Sequence, residues 1–176
     1  MKTHEIIAGL KRRMGNPERP GQTGINAALR RMDPPHPGAS STAAFRVMAE
    51  AGMDLDKLRP RQISAWLLIV HTMALSRWRH EARIPVGHGL VAMHFSENRL
   101  KQLLSADFET LQQLLPRLAR RFAGCTDVSG MDFTPLARLT LAASAWPDKL
   151  EQARLDIALS YTRFQNQTNT DKRKAS

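Results

Sequence analysis

An all-α fold is predicted, with two small packed helical bundles, about eight helices and no sheet. Three observations predict it. Apolar residues recur with a period near 3.6 in one segment after another. Neither sustained period-2 alternation nor an Asn-Gly hairpin signal is present. Apolar residues make up 42% of the 176-residue chain, enough to bury a helical core.

The first helix is expected over residues 6–14, closed by Lys11, Arg12 and Arg13 in its last turn and by Gly15 beyond it. Residues 16–24 are rich in Pro and Gly and read as a loop. A short helix follows over 25–32 and ends in Arg30 and Arg31. Three prolines within 33–38 exclude helix there. Ser41 is the expected N-cap of a helix running to Ala51, which Gly52 stops. Pro60 opens the strongest helix of the first half, to about Trp78. Its apolar stripe is Ile63, Trp66, Leu67, Val70 and Ala74. Residues 79–87 read as a connection. The expected units are therefore an N-terminal bundle over 1–86, a C-terminal bundle over 87–165 and a basic flexible tail over 166–176.

In the second half, residues 89–94 are a weak helical turn. Ser96 caps a helix carrying Leu100, Leu103 and Leu104. Asp107 caps another over 108–123, striped by Leu111, Leu114, Leu115, Leu118 and Phe122. At about 100° per residue these side chains share roughly 100° of arc, and Arg117, Arg120 and Arg121 fall outside it, also within roughly 100° of each other. Pro116 lies inside this helix and removes one backbone donor. After a loop over 124–131, Asp132 caps a helix to about Ala145. Pro147 starts the last helix, whose stripe is Leu150, Ala153, Ile157, Tyr161 and Phe164. Trp66 and Trp146 read as core.

Composition then narrows the function. The 26 Lys+Arg against 16 Asp+Glu give a net charge of +10, which points to a polyanionic partner. Arginine outnumbers lysine, and its fork suits phosphate. The basic clusters are Lys11-Arg12-Arg13, Arg30-Arg31, Arg59 with Arg61, Arg77 with Arg79 and Arg83, Arg99 with Lys101, and Arg117 with Arg120-Arg121. Arg12, Arg13, Arg30 and Arg31 also answer helix dipoles. Aromatic residues are only 6%, which favours gripping a backbone over reading bases. Trp78 is better placed to pack at a helix end than to stack on a base.

No catalytic residue, metal site or cofactor is assigned. The sequence has no glycine-rich phosphate loop and no Gly-x-Ser-x-Gly elbow. His71 and His80, like His88 and His94, are spaced off a common helical face. Asp54-Leu55-Asp56 lacks the glycine and glutamate of a calcium loop. The single Cys125 and the absence of a signal-peptide pattern suit a cytoplasmic setting. The longest nearly apolar stretch, 63–75, falls short of the about 20 residues a membrane span needs.

The order of these segments resembles the CasB small-subunit family of Cascade, the type I-E CRISPR surveillance complex, over about residues 25–165. The resemblance is carried by Gly87-His88-Gly89-Leu90 before Ser96-Glu97-Asn98-Arg99-Leu100 and by Leu103-Leu104-Ser105-Ala106-Asp107. It continues in Leu114-Leu115-Pro116-Arg117-Leu118-Ala119-Arg120-Arg121, in Met131-Asp132-Phe133 with Leu136-Ala137-Arg138-Leu139, and in Ala153-Arg154-Leu155-Asp156-Ile157-Ala158 through Tyr161. Ala28-Leu29-Arg30-Arg31 and Ala44-Phe45-Arg46 fit in the first half.

The resemblance implies two helical bundles and paired copies along a larger ribonucleoprotein. It implies a non-catalytic role holding the unwound DNA of the R-loop beside guide-RNA-containing subunits. Arg30, Arg31, Arg99, Arg117 and Arg138 match basic positions of the family, and Arg61 falls near another. Lys101, Arg120 and Arg121 join the candidate interface on local helix geometry. The alternative is a free-standing helical DNA-binding regulator. Residues 122–134 offer the turn it needs, but apolar and proline residues follow where base readers belong. A third class, membrane-surface binding through the helix over 6–14, rests on its basic end.

Overall fold

The computed structural model describes residues 2–15, 21–36, 38 and 41–174. Through them run α1 (Thr3–Met14), α2 (Gln22–Arg31), α3 (Ser41–Glu50), α4 (Pro60–Leu75), α5 (Val86–Ala92), α6 (Glu97–Ser105), α7 (Phe108–Ala123), α8 (Thr134–Ala145) and α9 (Leu150–Lys174). Single 3-10 turns at Leu55–Lys57 and Pro147–Lys149 precede α4 and α9. No strand is found among the described residues, so the expected all-α class is the observed one.

α4 is the axis. Pro60 occupies its first turn, where a missing N–H costs nothing, and the Gln62 side chain accepts the Arg59 N–H at 2.8 Å. The sequence predicts a one-sided stripe, yet every residue from Ala65 to Ala74 is buried. A helix apolar all round must be enclosed, and α2, α3, α7 and α8 pack against this one. Its buried His71 donates from Nδ1 to the Leu29 carbonyl at 2.8 Å, tying α2 to it. The buried residues form one continuous cluster that includes side chains from α1 to α9.

The connection over 79–85 is bound to the second half. Glu81 donates its N–H to the Met131 carbonyl at 3.0 Å, and Met131 donates to the Arg79 carbonyl at 3.1 Å, making an isolated parallel bridge. The chains pass so closely that a Cβ on Gly130 would lie 2.8 Å from Cβ of Glu81.

Several boundaries differ from those the sequence suggests. α2 begins at Gln22 because that buried side chain donates to the Met14 carbonyl at 3.3 Å, anchoring the helix start. Residues 16–20 of the expected loop, and Pro37 of the proline-rich break, lie outside the described residues. Ser41 is the first residue of α3 rather than its cap, and its buried hydroxyl has no partner among the described residues. α9 continues as helix to Lys174, through most of the expected flexible tail, and 175–176 lie outside the described residues. Extending an existing helix is far easier than nucleating one, and the hydroxyls of Thr168 and Thr170 fold back onto the carbonyls of Phe164 and Asn166. Trp146, expected in the core, is 37% exposed at the end of α8, with the Lys149 ammonium 5.5 Å from its ring centroid.

Candidate nucleic-acid interface

α7 carries the interface. Asp107 caps it as expected, its carboxylate accepting the Thr110 N–H at 2.8 Å, and the helix runs on through Pro116. Leu111, Leu115, Leu118 and Phe122 are buried against the core. Because that face is pinned, Arg117, Arg120 and Arg121 are held exposed on the adjoining solvent-facing arc.

Two concave surfaces meet on this exposed face. The first is a groove between the end of α2 and the middle of α7, with Arg30, Arg31, Arg117 and Arg120 along it. Asp33, Glu109 and the edge of His71 also line it. The second is a cavity between α6 and α7, bordered by Arg99, Arg117 and Arg121. Arg117 lines both, so the two surfaces adjoin. Six of the nine candidate residues are therefore brought onto one track. None of the six forms an ion pair with a carboxylate among the described residues, although the chain holds such pairs elsewhere, as at Lys11–Glu81 and Arg154–Glu151.

The six are not equally free. Arg30 donates from Nε to the Ala74 carbonyl at 3.1 Å, and Arg31 to the Ala27 carbonyl at 3.2 Å. Arg121 donates from Nε to the Met93 carbonyl at 3.0 Å and from Nη2 to the His94 carbonyl at 3.3 Å. A guanidinium has five N–H donors, so each keeps some for a ligand. These bonds fix the side chains in place and neutralise no charge. His71 beneath the groove is pushed toward its neutral form, chiefly by burial; the Leu29 bond opposes this, and the positive charge of Arg120 adds to it.

The remaining three candidates lie apart. Arg61 is exposed at the start of α4, about 20 Å along the helix from Ala74, where Arg30 is tied. Lys101 is exposed on α6 but two residues from Arg99, hence about 200° around that helix. Arg138 borders a separate cavity with Trp146, Lys149 and Asp156.

Arg79, counted among the basic clusters, is turned inward. It donates to the carbonyls of Ser129, Phe122 and Cys125 at 2.9, 2.9 and 2.7 Å, and also to that of Val128. Trp78 is buried, its indole N–H donating to Asn26 at 2.6 Å, so it packs rather than stacks on a ligand. At the start of α8, where a regulator would place its readers, Thr134, Leu136 and Ala137 are buried. The apolar face of α1 is likewise covered, with Ile6, Ile7, Leu10 and Met14 buried. Among the described residues, no helix is long and apolar enough to cross a membrane.

The family model for CRISPR-associated protein Cse2 matches residues 26–161. The chain belongs to the Cse2 family. Cse2 is the CasB small subunit of type I-E Cascade, as the order of the sequence motifs implied. The chain is thus a CRISPR-associated Cascade subunit of a structural family. The Cse2 match contains α3 to α8 whole, α2 from Asn26 onward, and α9 as far as Tyr161, so all six arginines of the track fall within it. No curated protein and no solved structure matches the chain.

Proposed function

We propose that this Cse2-family chain stabilises the R-loop of a Cascade complex in antiviral defence, by sequence-independent contacts between its arginines and the phosphates of unwound DNA. The role is non-catalytic and cytoplasmic. One observation carries the reading: Arg117 joins the groove of Arg30, Arg31 and Arg120 to the cavity of Arg99 and Arg121, and no carboxylate of the chain pairs with any of them among the described residues. Cations left unneutralised along one path suit a polyanionic strand, because each phosphate they meet releases condensed counterions. A displaced strand can have any sequence, so contacts to its backbone serve every target.

In this reading the partners are guide-RNA-containing Cascade subunits, the single-stranded DNA of the R-loop and a second copy of the chain. The segments 1–86 and 87–165 act as two helical bundles sharing the continuous core. Arg61, Lys101 and Arg138 serve strand contacts beyond the track.

The test replaces Arg31, Arg117 and Arg120 together with Ala. Arg121 is left in place because it also braces the end of α5. Helicity by circular dichroism is expected to hold. The log–log salt dependence of single-strand binding is expected to flatten by roughly 2, at about 0.7 for each phosphate no longer neutralised. An unchanged slope removes the groove from the interface.

A further inference from the structure

We infer that the cavity between α6 and α7 is a nucleoside pocket, taking one unstacked base from the strand whose phosphates lie on the arginine track. The inference rests on that track being a phosphate grip and goes beyond it, since a grip on phosphates alone needs no cavity. The cavity measures about 380 Å³, at the small end of the about 300–1,000 Å³ usual for small-ligand sites. That size suits a single nucleoside rather than a length of strand.

Its construction is layered. Leu103 and Leu118 are buried, while Phe95 and Leu114 are half-buried, so the floor is apolar with one aromatic ring. Arg99, Arg117 and Arg121 are exposed at the rim. An apolar floor beneath a cationic rim fits a ligand with a flat apolar body and an anionic edge. A bare phosphate would leave the floor wet. An apolar side chain from a protein would gain nothing from the rim.

Two observations favour a base over an acidic segment of a protein partner. Arg117 lines both the groove and the cavity, so a strand lying on the groove passes the pocket mouth. Arg121 is held by the Met93 and His94 carbonyls, which fixes the plane of its guanidinium beside the cavity. A fixed planar guanidinium is a stacking surface for an unpaired base. The pocket needs no base-specific contact, so it remains compatible with any sequence.

The test uses the full chain and fluorescence anisotropy at low ionic strength. The probes are a labelled oligothymidylate and an abasic strand of the same length and charge. The base-bearing strand is expected to bind about tenfold more tightly, with parallel salt dependence. Leu114→Asn, which makes the floor polar, and Phe95→Leu, which keeps bulk but removes the ring, are each expected to cut that preference below about threefold. If Leu114→Asn fails to fold, Phe95→Leu and the wild-type comparison still decide. Equal affinities with an intact salt slope overturn the pocket and leave the phosphate grip standing. Absence of binding by either strand overturns both. A preference that survives both variants puts the stacking elsewhere and overturns the pocket. A labelled Glu–Leu repeat peptide that binds more tightly than the oligothymidylate assigns the cavity to a protein and overturns it as well.

Discussion

The guanidinium of Arg79 faces four backbone carbonyls and lies 4.7 Å from the Phe122 ring centroid, whereas that of Arg117 opens onto a groove and a cavity. The two residue types are identical, and their surroundings separate a clamp from a ligand-facing cation. Arg79 closes the loop between α7 and α8, so its removal leaves carbonyls without their donor. Hydrogen bonds to a charged group contribute about 1.5–3 kcal/mol each net of exchange with water, and water admitted to the half-buried site after truncation satisfies some of the freed carbonyls. Arg79→Ala is expected to lower unfolding free energy by about 3 kcal/mol in a urea titration. Arg79→Lys should recover little, because one ammonium cannot span four acceptors. An unshifted midpoint in Arg79→Ala would refute the clamp.

At the scale of elements, the crossing of α5 over α9 depends on an absent side chain. A Cβ on Gly87 would collide with the backbone of Ser160 and Tyr161, and the Gly87 N–H donates to the Ser160 hydroxyl at 2.9 Å. Nearby, the Tyr161 hydroxyl donates to the Phe95 carbonyl at 2.6 Å, and His88 stacks on Phe164 with centroids 5.0 Å apart. α5 cannot retreat without disrupting this packing. Gly87→Ala is expected to cost about 2 kcal/mol or more, read as a lowered thermal midpoint. Gly24→Ala provides the contrast. That glycine lies within α2 with open space around its missing Cβ, so alanine there should be neutral or stabilise by up to about 1 kcal/mol. Equal effects at the two sites would show that the crossing tolerates separation.

For the whole molecule, two buried histidines sit at the joints of the single core. His71 links α2 to α4. His80 accepts the Phe133 N–H on Nδ1 at 3.2 Å, linking the mid-chain connection to the start of α8. Burial is the leading cause that lowers both pKa values from the usual 6.5. For His80 the charge of Asp132 partly opposes it. Their sign is that of a depressed base. Below about 6.5 the unfolded chain takes up protons that the folded chain refuses, so stability falls as pH drops toward the folded values and levels off beneath them. The urea midpoint is expected to decrease between about pH 7 and about pH 5.5. His71→Gln, which can still donate to Leu29, should make that decrease shallower. A midpoint independent of pH in the wild-type chain would mean that neither histidine is held neutral.

The helical class, the span of α7, the Asp107 cap and the separate apolar and arginine arcs of α7 were all legible in the sequence. Each depends on residues within a turn or two of one another, where period and capping chemistry are local. The motif order likewise pointed to the Cse2 family. Only the tertiary structure decided which arginines are available. Arg79 and Arg117 look alike in the sequence, and what separates them is contact with carbonyls dozens of residues away. It also enclosed α4 on all sides, pinned the mid-chain connection against Met131 and left Trp146 half-open, since packing between distant segments leaves no periodic trace in any one of them. The juncture of groove and cavity at Arg117 belongs to this second kind: α2, α6 and α7 each contribute cations, and their shared path exists only once the three are packed.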